Sequence, residues 1–96
     1  MAAGLIEHTV MTNLRREYEA QGYDFYESPP PEAVPDFLGK FRPDAIAIRG
    51  DEGVVLELTP RTVGPDALNY IAERFEGHPR WRFRVIVYDP KQDEIS

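Results

Sequence analysis

The stretch DAIAIRGDEGVVLELTPR, residues 44–61, says most about how this chain folds. DAIAIR (44–49) and VVLEL (54–58) are short apolar runs, separated by the turn-forming GDEG (50–53). Runs of this length and composition read as buried strands, and so short a connection makes them an antiparallel hairpin. The second run carries a carboxylate, Glu57, and soon afterwards meets Pro60, which is expected to bend the chain. Asp44 opens the first run, so antiparallel pairing brings Asp44 and Glu57 together at one end of the sheet. Two carboxylates in a partly desolvated site repel and raise each other's pKa unless a cation sits between them. Mg2+ accepts such an oxygen site, using one or two protein carboxylates and keeping several waters.

Working outward, Ile6, Val10, Leu14 and Tyr18 fall four apart, with Leu5 and Met11 beside them, the spacing of a helix from Leu5 to Gln21 that Gly22 stops. YDFYE (23–27) alternates aromatic and acidic residues as a half-buried strand does. Ser28 to Pro35 is a proline-rich connector, and PDFLGKF (35–41) supplies a helical turn whose Phe37 and Leu38 enter the core. Beyond the hairpin, Pro65 and Asp66 begin a second helix with Leu68, Ile71, Ala72 and Phe75 at helical spacing, closed by Gly77 and Pro79. WRFRVIVY (81–88) is the last strand. Arg80, Arg82 and Arg84 alternate with Trp81, Phe83 and Val85, which reads as a charged edge strand with Trp81 and Phe83 turned to the core. The order is helix, three strands, helix, strand: an α/β chain with a mixed four-stranded sheet flanked by helices.

Ninety-six residues suffice for a single domain, 1–96, with residues 89–96 as a polar tail. The absence of cysteine excludes disulfides and thiolate metal sites, and two scattered histidines, His8 and His78, read as surface residues rather than zinc ligands. No apolar run approaches the roughly 20 residues that span a bilayer, so a cytoplasmic protein without membrane contact is expected. A net charge of −6 disfavours DNA, because sequence-independent affinity comes from Lys and Arg neutralising phosphates.

Pro43-Asp44 before an apolar strand, followed by Glu57 in an apolar strand beyond a tight turn, resembles the PD-(D/E)xK nuclease superfamily. Within it, PDFLGKFRPDAIAIRGDEGVVLEL (35–58) and HPRWRFRVIV (78–87) are similar to a small group of archaeal Holliday-junction-resolvase-like proteins. Pro-Asp also occurs at residues 35 and 65, but only Pro43-Asp44 has the strand–turn–strand context. The resemblance implies a restriction endonuclease-like αβββαβ core and metal-dependent hydrolysis of DNA phosphodiesters. It implies Mg2+ or Mn2+ held by Asp44 and Glu57, with Glu17 on the first helix as the accessory acid and Glu7 as the weaker candidate. A homodimer follows if symmetric junctions are cut, since two active sites are then needed.

One position departs from the pattern. The family reads Glu-Val-Lys-Ser-Arg where this chain reads Glu57-Leu58-Thr59-Pro60-Arg61, so Thr59 stands in place of the lysine. Losing one such electrostatic group costs about 10²–10³ in rate by analogy with other single donors. Arg61 shares the strand parity of Glu57 and Thr59, Lys40 and Arg42 lie just before Asp44, and Arg49 is expected to point away. Two function classes follow: a weak or inactive metal-dependent endodeoxyribonuclease, or a non-catalytic protein-interaction module on a nuclease fold.

Overall fold

The apolar stripe at residues 10, 14 and 18 packs as its spacing predicts. In a computed structural model, which describes residues 3–63 and 65–89, helix α1 (Ala3–Ala20) lays Val10, Leu14 and Tyr18 against one face of a four-stranded sheet. Gly22 ends the helix at φ 88°, a left-handed conformation glycine adopts without steric cost, and strand β1 (Asp24–Glu27) follows. Strands β2 (Ala45–Arg49) and β3 (Glu52–Pro60) form the expected antiparallel hairpin, with Arg49 opposite Glu52 and Gly50 turning at φ 62°. Strand β4 (Trp81–Tyr88) joins parallel to β3, giving the order β1-β2-β3-β4. The αβββαβ arrangement with a mixed sheet is the one the sequence implies.

Strand alternation sorts the core into two layers. Phe25, Ala45, Ala47, Val54, Leu56 and Leu58 face α1, whereas Ile46 and Val55 face Val34, Leu38 and Ile71 on the other side. Leu38, on a 3-10 turn (Asp36–Leu38), is fully buried, so that segment enters the core as its composition suggests.

Three expectations need correction. The second helix is not continuous: α2 spans only Asn69–Ala72, between 3-10 turns at Pro65–Leu68 and Glu73–Phe75. Leu68 sits at φ −104°, ψ 8° with no side-chain cap, and Ile71 is the buried residue of α2, so there is little packed stripe to offset helix nucleation. Pro60 does not end its strand. The amides of Gly53 and Arg61 donate to the carbonyls of Arg80 and Tyr88 at 2.9 and 2.7 Å, so odd-numbered residues of β3 bond β4. The N–H that Pro60 lacks would point to the other side, where β2 has already ended. His78 is half-buried and stacks on Phe37 with ring centroids 3.9 Å apart. The polar tail lies, from residue 90 onward, outside the described residues.

Gly53 is required by close approach. A Cβ there would sit 2.3 Å from the Trp81 ring, whose indole lies over the glycine across the β3–β4 pair. Gly53→Ala is therefore expected to displace Trp81 and lower stability by about 1–3 kcal/mol in urea unfolding.

Candidate functional site at the end of the central hairpin

The site arises where β2 stops. Leu58, an even-numbered residue of β3, turns its N–H toward the place a longer β2 would occupy, but Pro43 precedes Asp44 there. The Asp44 carboxylate accepts that hydrogen, with Leu58 N donating to Oδ2 at 2.7 Å. At Ser28, φ 46°, the chain leaves β1, and although Ser28 N still donates to the Asp44 carbonyl, the Asp44 amide donates to Glu57 Oε1 at 3.1 Å. Each acid thus satisfies a main-chain donor that the end of the hairpin would leave unpaired. The structure brings Asp44 and Glu57 together, as the sequence implies.

Their electrostatics follow from that packing. Burial, then the neighbouring Asp44 charge, pushes the Glu57 carboxyl up to about 7. Burial also raises Asp44; the Leu58 amide opposes the rise, the Glu7 charge adds to it, and a hydrogen bond from Glu57 lowers it. Burial thus raises both carboxyls, and the Asp44 charge adds to the rise at Glu57, a repulsion that a cation would relieve. As donors they fit a hard divalent ion held by two carboxylates and completed by water. Among the described residues no group of three or more His, Cys, Asp or Glu is placed to hold a metal.

Glu7 is the acid of α1 whose charge reaches Asp44. It accepts a 2.8 Å hydrogen bond from the Tyr88 hydroxyl. Glu17 lies ten residues further along the helix, about 15 Å at 1.5 Å per residue, and bonds Arg84 at 3.2 Å. The helical phase held the signal for this difference. Glu7 shares the spacing of Met11, Leu14 and Tyr18, which turns toward the sheet, whereas Glu17 is one position off that stripe. Tyr88 had no comparable signal, because its role comes from standing opposite Pro60 at the end of the parallel pair.

Thr59 is 5% exposed, on the same side of β3 as Glu57, and no hydrogen bond reaches its hydroxyl among the described residues. No described Lys or Arg side chain bonds Asp44 or Glu57. Arg61 is 76% exposed and pairs with Asp89; Arg42 bonds the carbonyls of Gly39 and Phe41; Arg49 pairs with Glu52 and the Gln21 carbonyl; Lys40 is exposed. In the arginine row, Arg80 pairs with Asp51 and Arg84 with Glu17, leaving Arg82 unpaired.

A family model described as REase_AHJR-like, the AHJR-like restriction endonucleases, matches residues 2–96. No curated protein matches the chain, and no solved structure does. No helix among the described residues is long and apolar enough to cross a membrane.

The raised Glu57 carboxyl has a measurable consequence. A carboxyl whose pKa is raised on folding stabilises the native state fully below its unfolded value, near 4.5, and loses that contribution as pH rises through about 7. Asp44 shifts in the same direction. Glu57→Gln keeps a hydrogen for Asp44 at every pH. It is expected to match the parent below pH 4.5 and to exceed it above pH 7 by on the order of 2 kcal/mol, discounted for partial exposure, in urea unfolding across that window.

Proposed function

The chain belongs to the AHJR-like restriction endonuclease family, and from that membership we propose that it is a nuclease-fold domain that hydrolyses DNA phosphodiesters slowly, with Mg2+ or Mn2+, as a homodimer. The observation that carries this reading is the half-buried Asp44–Glu57 pair, two carboxylates brought together at the end of the central hairpin and fixed by main-chain amides. A divalent ion bound by them would polarise a phosphate and acidify a water. The chain's own contribution is orientation: Leu58 N fixes Asp44 Oδ2, and Asp44 N fixes Glu57 Oε1, so both side chains are set before any ligand arrives. Tyr88 holds Glu7, whose charge reaches Asp44.

The low rate follows from Thr59. A buried neutral hydroxyl stands where the family places an ammonium, and no other described cation bonds the pair. The same observation favours a second reading, a non-catalytic protein-binding module on the nuclease fold, which the net charge of −6 also supports.

Purified protein incubated with four-way-junction, duplex and single-stranded DNA and Mn2+ is expected to give slow cleavage, abolished in Asp44→Ala and Glu57→Ala. Thr59→Lys is expected to accelerate it by about 10²–10³. Mg2+ or Mn2+ should also raise the melting temperature at pH above 7, where Glu57 has released its proton, and not in the two alanine variants. If neither the parent nor Thr59→Lys cuts any of these DNAs and neither ion raises the melting temperature, the nuclease reading fails and the binding-module reading stands.

A further inference from the structure

β4 is the outermost strand on its side of the sheet and is eight residues long, without proline. The ladder fixes which of its main-chain groups are used. Gly53 N bonds Arg80 O, Arg61 N bonds Tyr88 O, and the register between them is regular, so even-numbered residues of β4 turn their main chain to β3. Phe83, Val85 and Val87 turn theirs outward, and no described residue bonds those groups; Trp81 N is taken by the His78 carbonyl. A free edge of this length is normally blunted by proline, a bulge or inward charge. Here only Arg82 and Arg84 guard it, both on the α1 side, while Phe83, Val85 and Val87 line the other side, Val87 being 45% exposed.

We infer that this edge pairs antiparallel with β4 of a second copy, about a two-fold axis normal to the sheet through Val85. Outward main-chain groups meet only if odd residues oppose odd residues. A register centred on Arg84 would set that arginine against itself, and like charges directly opposite are destabilising. One centred on Ile86 would place Phe83 opposite Asp89. Centring on Val85 sets Phe83 against Val87, Arg84 against Ile86 and Arg82 against Tyr88, with no like charges opposed. Phe83 then covers the exposed Val87 of the other copy, and each of the odd pairs exchanges both main-chain hydrogen bonds. Arg84 already bonds its own Glu17, so its charge is balanced before the strands meet, and no acid lies between residues 81 and 88 to oppose the approach.

The pairing also has a consequence for the carboxylates. Glu57 stands opposite Val85 and beside Asp44, so the two Asp44–Glu57 pairs fall in one row of an eight-stranded sheet, on the same face. The Glu57 Cα atoms are then about 15 Å apart at 4.7–4.9 Å per strand. This inference supplies the surface for the homodimer in the proposed function but rests only on association, so its failure leaves the cleavage chemistry to be judged separately.

Sedimentation equilibrium from low to several hundred micromolar protein is expected to show a reversible dimer with a dissociation constant in the micromolar range, as a small interface gives. Val85→Pro removes an outward N–H without touching the β3 ladder, and is expected to leave the circular dichroism unchanged and weaken dimerisation at least about tenfold. Because the chain has no cysteine, Val85→Cys reports the register directly. Its Cα atoms would lie about 5.5 Å apart, within disulfide reach, and oxidation should give a covalent dimer where Val63→Cys does not. A monomer at every concentration overturns the inference, as does a dimer that Val85→Cys fails to cross-link or that a folded Val85→Pro leaves unchanged; if Val85→Pro does not fold, the cross-link decides.

Discussion

The reciprocal capping at the end of the hairpin is the constraint on which the site depends. β2 stops at Asp44, whose carboxylate takes the hydrogen of Leu58 N while its own amide gives one to Glu57. Buried polar groups of the main chain must find partners, and at this strand end the acceptors are the two acid side chains. Asp44 and Glu57 therefore have a structural reason to be where they are before any ligand is considered. Satisfying those donors brings two acids together, and burial raises both of their carboxyls. A single arrangement thus serves the fold and sets two acids side by side at the sheet's end.

That dual origin explains how much was legible in the sequence. The strands were readable because β2 and β3 are buried on both faces and appear as continuous apolar runs, and because Gly50 and Gly53 bracket the turn. The Asp44–Glu57 contact followed from antiparallel pairing alone. The broken second helix was not readable, since Leu68, Ile71, Ala72 and Phe75 have helical spacing whether or not the segment packs deeply enough to hold a helix. Pro60 misled for a related reason. A proline in a strand is harmless when its missing donor faces away from the neighbour, and that depends on a ladder parity set by β4, more than twenty residues distant. That Glu7 rather than Glu17 reaches Asp44 depends on the phase of α1 against the sheet, which the apolar stripe contained.

Thr59 and the two acids differ in their structural duties. Asp44 and Glu57 also hold the hairpin together, so losing either acid would leave a main-chain amide unpaired. Position 59 has no such duty. A lysine there would have to desolvate its ammonium beside buried apolar residues, and a threonine relieves that cost. The fold thus demands the two acids and makes no demand for a lysine at position 59, which fits both a slow enzyme and a binding module.

Pro60 has a further effect on how the sheet meets its surroundings. Beyond Ala45, the β2 side of β3 offers few hydrogens: Leu58 N is capped by Asp44, and Pro60 has none to give. An extended peptide drifting into that notch would find no ladder to grow on. The end of the sheet beside the carboxylates is in this sense non-stick.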